Sequence, residues 1–269
     1  MSGLRTWIGL MALAALPAAG EDGAPPTGAP ATKAAPRTQA LNQAFRGTIV
    51  KLRGMKVTVF YDFEDPAQLD DFEEARPPRL LDGGRNNARI EEGRLVLEGS
   101  TSIRHKLEGV GRLHATFTLN VAKKHNVGAV VTEPILSDFY VVYNLFDQRF
   151  NRNGAMHIGA CGLREDEGAE DPTSGMVNFR DIFSGNLQRK VEVGRDVEVE
   201  IAKDGFKEFF RVGRVKGKGS SKGKTKDMKS YKFGLFVHES RAAFDDLTIT
   251  FELTKEFLEY ENLRAEVSR

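Results

Sequence analysis

Two-residue alternation, repeated along most of the chain, limits what this sequence can fold into more than any other feature. In GRLHATFTLNVA, Leu113, Ala115, Phe117, Leu119 and Val121 alternate with polar or small residues, and in RDVEVEIAKDG Val197, Val199 and Ile201 do the same. A period of two sends every second side chain to one face of a strand, so each segment carries one apolar face that must be covered. Gly54, Glu92-Gly93 and Asp204-Gly205 punctuate these runs, and the last is a strong tight-hairpin signal. Helical spacing is confined to TKEFLEYENLRAEVSR, where Phe257, Tyr260, Leu263 and Val267 share a face behind a Thr254 cap. The pattern predicts an all-β fold, an antiparallel two-sheet jelly-roll sandwich with a short C-terminal helix, rather than a small barrel.

The N-terminus, MSGLRTWIGLMALAALPAAGED, has one positive charge at Arg5, an apolar run from Trp7 to Leu16 and small residues before Glu21. That is the layout of a signal peptide over residues 1–20, cleaved near Gly20, and the apolar run is too short for a membrane anchor. Residues 21–40 hold Pro25, Pro26, Pro30 and Pro36 among Ala, Gly and Thr and read as a disordered linker. The sandwich is expected over 41–254 and a helix or tail over 255–269. Cleavage removes Arg5 and brings the net charge from +1 to zero, so no global attraction to nucleic acid or membrane is implied. The single cysteine, Cys161, forms no intramolecular disulfide, so a secreted or periplasmic product must be held by its core, to which 18 Phe contribute.

Acids crowd between aromatics in VFYDFEDPAQLDDFEE, residues 59–74, and again in AAFDDLTITFEL, residues 243–254. The first segment lacks the glycine-bearing pattern of a calcium loop, and a glycosidase pair would need two carboxylates facing each other across a cleft. A scaffold role needs least: Asp65-Pro66 starts a turn, and Tyr61 and Phe63 face away from Asp62 and Glu64. The succession YDFEDPAQLDDFE, ARIEEGRLVLEG, DFYVVYNLFD, VEVEIAKDG and YKFGLFVHESRAAFDDLTIT resembles the concanavalin A-like, laminin-G-like jelly rolls. It is most similar to secreted bacterial domains of the 3-keto-disaccharide hydrolase-like family, over residues 57–252. The resemblance implies that first and last strands are neighbours and that one concave sheet carries the site. The tryptophans usual in that family are missing, with Phe72 and Val197 near their places.

If Phe139, Val141, Tyr143 and Leu145 face the core, alternation turns Tyr140 and Asn144 outward. Arg180 and His238 follow by the same count, and Arg104 and His157 complete an outward set of planar donors and an aromatic platform suited to sugars. The histidines lack zinc-helix spacing, G-x-S-x-G is absent, and Cys161 in HIGACGL reads as a small packing residue. His238-Glu239 beside Arg241 reads as a turn near the end of a strand. REDEGAEDPTSG offers Asp166, Glu167 and Asp171 to calcium, but its contiguous acids favour a solvated loop, and no cofactor is expected. KGKGSSKGKTKDMKSYK, residues 216–232, reads as a long hairpin loop kept soluble by lysine. The sequence thus points to a secreted, non-enzymatic module binding a glycan or extracellular partner. A glycoside-processing hydrolase, which the resemblance implies, and a structural envelope protein without a ligand are the alternatives.

Overall fold

The computed structural model describes residues 41, 45–75, 87–123, 126–134, 139–147, 155–163, 177–186, 192–224, 228–257 and 259. Along parts of the strands between 139 and 186 it describes the backbone alone. All of these residues belong to one compact unit, Ala34–Arg269. The predicted signal peptide, the linker and the acidic run at 164–175 lie outside them.

Fourteen strands are described, and every pairing is antiparallel: β1 (Thr48–Arg53), β2 (Lys56–Tyr61), β3 (Phe72–Glu74), β4 (Ala88–Glu91), β5 (Arg94–His105), β6 (Gly109–Lys123), β7 (Asn126–Thr132), β8 (Phe139–Asp147), β9 (Ala155–Leu163), β10 (Val177–Asn186), β11 (Asp196–Asp204), β12 (Lys207–Val212), β13 (Val215–Ser220) and β14 (Ser230–Leu253). Hydrogen bonds link them all because β5 and β14 each pass from one sheet to the other. Residues 232–238 of β14 pair with β7, whereas residues 230–231 and 241–253 pair with β6, and residues 247–252 pair also with β2. In β5, Thr101–Arg104 pairs with the first part of β14 and Leu95–Gly99 with the second. Both strands turn at one corner, where the register shifts between Val237 and Ser240 and where Glu239 (φ 48°) and Gly99 (φ 76°) take left-handed backbone. Bulges of this kind let one strand serve two sheets.

The first sheet runs β10-β9-β8-β7-β14-β5-β3, and the second runs β13-β12-β11-β6-β14 before ending on β2-β1 and on β5-β4. Their facing sides share one core that includes Tyr61, Phe63, Leu97, Phe117, Tyr143, Phe210 and Phe244. The fold is the antiparallel two-sheet sandwich that the alternation predicted, and residues 255–257 begin a short C-terminal helix. There the Phe257 N–H donates to Thr254 Oγ1 at 3.2 Å, and the Phe257 ring lies 6.2 Å from that of Phe45.

Three expectations need correction. Residues 215–220 are not loop but strand β13, whose outward Lys216 and Lys218 alternate with Gly217 and Gly219 on the packed face. A Cβ at Gly217 would meet Phe210 Cε1 at 2.3 Å, and one at Gly219 would meet Ile182 Cγ2 at 2.5 Å, so only glycine lets this strand close over the core. The β11–β12 hairpin turns one residue later than Asp204-Gly205: Asp204 pairs with Lys207, and Gly205 (φ 56°) is the first of the two turn residues. His238-Glu239 is a corner inside β14, not the end of a strand.

Candidate functional site

The crowded acids of the opening strand hold the scaffold together. Asp71 is buried and its Oδ2 accepts from the N–H groups of Arg46 and Gly47 and from the Tyr61 hydroxyl, at 2.8, 3.0 and 2.9 Å. Asp65 caps the 3-10 turn Pro66–Asp71 by accepting from the Ala67 N–H, and Asp62 accepts from Gln68 Nε2 at 2.7 Å. The repeated acidic segments meet because β2 and β14 pair, with Tyr61 opposite Leu247. His105 completes the buried chain. Its Nδ1 accepts from the Leu107 N–H at 3.1 Å, so the proton of the neutral ring sits on Nε2 and is donated to Tyr61 Oη at 2.6 Å. Burial, with Lys232 and Lys106 adding to it, lowers the His105 pKa to about 3. Burial and the adjacent Asp71 raise that of Tyr61 well above the usual phenol value.

The face of the first sheet turned away from this core carries a different set of side chains. Cross-strand register puts Ser102, Phe236, Gly128 and Asn144 in one row, which position 157 continues. The next row holds Glu73, Arg104, Gly234, Val130 and Val142, and the row on the other side holds His238 and Asn126. Only glycine fits at 128: a Cβ there would lie 2.2 Å from the Tyr143 carbonyl oxygen and 2.7 Å from the Phe236 ring. Phe236, Val130, Val142 and Asn144 are all buried although they lie outside the core cluster. This face is therefore covered at its centre rather than an open platform.

Charge gathers at one side of it. Arg104 Nε donates to Glu73 Oε1 at 2.8 Å, Lys232 Nζ donates to the same oxygen at 2.8 Å, and Arg104 Nη1 reaches Thr132 Oγ1 and the Glu133 carbonyl. Burial alone would raise the Glu73 pKa, but the hydrogen bonds and charges of Lys232 and Arg104 outweigh it and lower it. At the opposite side Ser100 Oγ lies 3.2 Å from His238 Nδ1 and accepts from the Glu239 N–H. Two buried polar atoms of this face, Ser102 Oγ and Asn126 Oδ1, have no hydrogen-bond partner; a third, Tyr231 Oη, is in the core.

Of the six residues expected in one set, Arg104, Asn144 and His238 are brought to this face, Asn144 buried rather than solvated. His157 occupies the register position opposite Asn144, and Tyr140 the one opposite Thr132 in the row of Lys232, with side chains outside the described residues. Arg180 does not join them: it pairs with Ala160, which pairs with Val141 and so continues a core-facing row. Sequence reasoning missed Ser102, Asn126, Lys232 and Phe236, although alternation within YKFGLFVHES already places Lys232 and Phe236 on the side of His238. Among the described residues no cluster of His, Cys, Asp or Glu is placed to hold a metal, and no helix is long and apolar enough to cross a membrane. The proposed calcium ligands Asp166, Glu167 and Asp171 lie outside those residues.

No family model matches the chain, and no curated protein matches it. Among solved structures it is similar to the carbohydrate-binding module CBM66 from Bacillus subtilis, at 12% identity over 58% of this chain and 84% of that one, with a TM-score of 0.41. It is also similar to SCLam, a non-specific endo-β-1,3(4)-glucanase of family GH16, at 10% identity over 77% and 95%, with a TM-score of 0.48. Bacteroides ovatus xyloglucan PUL GH43B matches at 14% identity and a TM-score of 0.47 over 76% of this chain, which spans only 40% of that protein. At this level of similarity none of them brings a family or an activity to the chain.

Proposed function

We propose that the chain is an exported, non-enzymatic module that binds a glycan through the outer face of its first sheet. Arg104, Asn144 and His238 are its contacts, with Tyr140 and His157 joining them by register. The observation that carries this reading is the pair of buried, partnerless atoms Ser102 Oγ and Asn126 Oδ1 beside the Phe236 ring. Such atoms cost about 1–3 kcal/mol each unless something satisfies them. A sugar offers hydroxyls that both donate and accept, which is what these two atoms lack. By register Asp147 stands opposite Asn126 and Glu73 opposite Arg104; against Glu73 as a general acid stand the two cations that hold it ionised, whereas that role needs a raised pKa.

The test is an array of neutral glycans probed with the full chain, with and without a calcium chelator, alongside Arg104→Ala and Asn144→Ala. Wild type is expected to retain a neutral glycan regardless of chelator, and each variant to lose roughly tenfold or more in affinity. Ser102→Ala guards against misfolding, since it removes an unpaired hydroxyl and should weaken the glycan without lowering stability. Absence of any neutral-glycan binding would overturn the reading.

A further inference from the structure

The second sheet has its own trough, on the side turned away from the core. Register aligns Thr58, Thr250, His114, Ala202 and Phe209 in a single row across β2, β14, β6, β11 and β12. The row is closed by Lys51 on β1 at one end and Lys218 on β13 at the other. Seven strands at 4.7–4.9 Å spacing make it roughly 28 Å long. The middle of the row is low because threonine and alanine are short, and the two threonine hydroxyls bond each other at 2.9 Å. Two hollows of about 640 and 320 Å³ lie over it and share Lys56, His114 and Thr250.

The rim is cationic. Lys51, Arg53, Lys56, Lys207 and Lys218 all line the hollows, all are exposed, and among the described residues none is in an ion pair. The acids that face the trough are largely engaged. Asp204 pairs with Arg112 at 3.1 Å, and Glu200 pairs with His114 and Arg211 at 3.1 and 3.0 Å. Glu252 lies opposite Lys56 in register, and Glu208 is turned into the core. In a chain of formal net charge +1, this is a local concentration of charge and not a global one.

We propose that this trough binds a linear acidic polysaccharide, its repeated carboxylates or sulfates spaced along the lysine and arginine rim and its sugar rings over the Thr–Ala floor. Length and shape argue for an extended chain rather than a small anion, because unpaired cations stand at both ends and along the sides of one continuous row. Phe209, half-buried, is the one Phe, Tyr or Trp lining the two hollows among the described residues, and the His114 ring is engaged by Glu200, so the stacking series that single-stranded nucleic acid uses is missing there. A bilayer would touch only the rim of a trough whose floor is recessed. The site lies across the core from Arg104 and Phe236, so it stands independently of the glycan reading of the first sheet.

The experiment measures binding of the full chain to polygalacturonate, to dextran sulfate, to neutral dextran and to single-stranded oligonucleotide of matched charge, at low and moderate salt. Acidic polysaccharide should bind, weaken with salt as screening requires, and fall roughly tenfold or more in Lys56→Glu/Lys218→Glu. Polygalacturonate against dextran sulfate tells carboxylate from sulfate recognition. Ala202→Trp fills the floor without changing charge and should weaken binding to a similar degree. Full binding in either variant overturns the trough assignment, and equal or tighter binding of the oligonucleotide overturns the polysaccharide assignment. Arg104→Ala should leave acidic-polysaccharide binding intact, so failure at one sheet is read separately from failure at the other.

Discussion

At the scale of single residues, acid should expose His105. Its folded pKa of about 3 lies below the ordinary value of 6.5, so between those limits the unfolded chain binds the extra proton. This contribution to stability is complete above pH 6.5 and is lost as pH falls toward 3. Protonation would also set an Nδ1–H against the Leu107 N–H that Nδ1 now accepts. Urea unfolding at pH 8, 6 and 5 should show wild type losing stability across that range and His105→Phe losing less, at the expense of about 1–2 kcal/mol at pH 8 for the lost hydrogen bonds. Asp71→Ala should cost about 3 kcal/mol by the same measurement, since it strands two backbone N–H groups and the Tyr61 hydroxyl. The scaffold role of these acids was legible from Asp65-Pro66 and the aromatic interleaving. The Tyr61–His105 bond was not, because it joins residues 44 apart in sequence.

At the scale of elements, alternation located the strands and failed where the residue marking the core face is not apolar. β13 has the period of two, but with glycine in the inward positions, so its charge and flexibility suggested a loop. Gly217→Val should therefore destabilise the protein by about 1–3 kcal/mol through overpacking against Phe210 and Phe183, whereas Lys216→Val on the other face should change little. Arg180 was misplaced for the same reason: within VNFR the apolar Val177 and Phe179 suggest the core face, yet the row that continues Val141 holds Arg180. The register of β10 against β9 shifts between Asp181 and Phe183, and a single inserted residue reverses which positions share the core row. Phe183 faces the core beside Phe210, at 5.8 Å between rings, while Phe179 belongs to the row of Tyr140. An alternation count run through the bulge puts both on one side.

At the scale of the molecule, the two sheets are joined by polar contacts as well as by packing. Tyr143 of the first sheet donates to Glu208 of the second, whose other oxygen accepts from Lys203 and Ser221 at 2.9 and 2.8 Å, all of them buried. Glu208→Ala should cost about 3–5 kcal/mol because it leaves the Lys203 ammonium buried without its partner, and Lys203→Met/Glu208→Leu should recover most of that loss in urea unfolding. The sandwich class was legible from the strands, but the corner that lets β5 and β14 serve both sheets was not, since its left-handed Glu239 carries no composition signal. The central claim is that the first sheet holds a glycan and does not cleave it. The most direct measurement is to incubate the full chain with whichever neutral glycan it retains, over many hours, and to recover the sugar for mass spectrometry. The account predicts the glycan intact and still releasable. Product that accumulates with wild type and fails to form with Glu73→Gln would contradict it and make Glu73 a catalytic group.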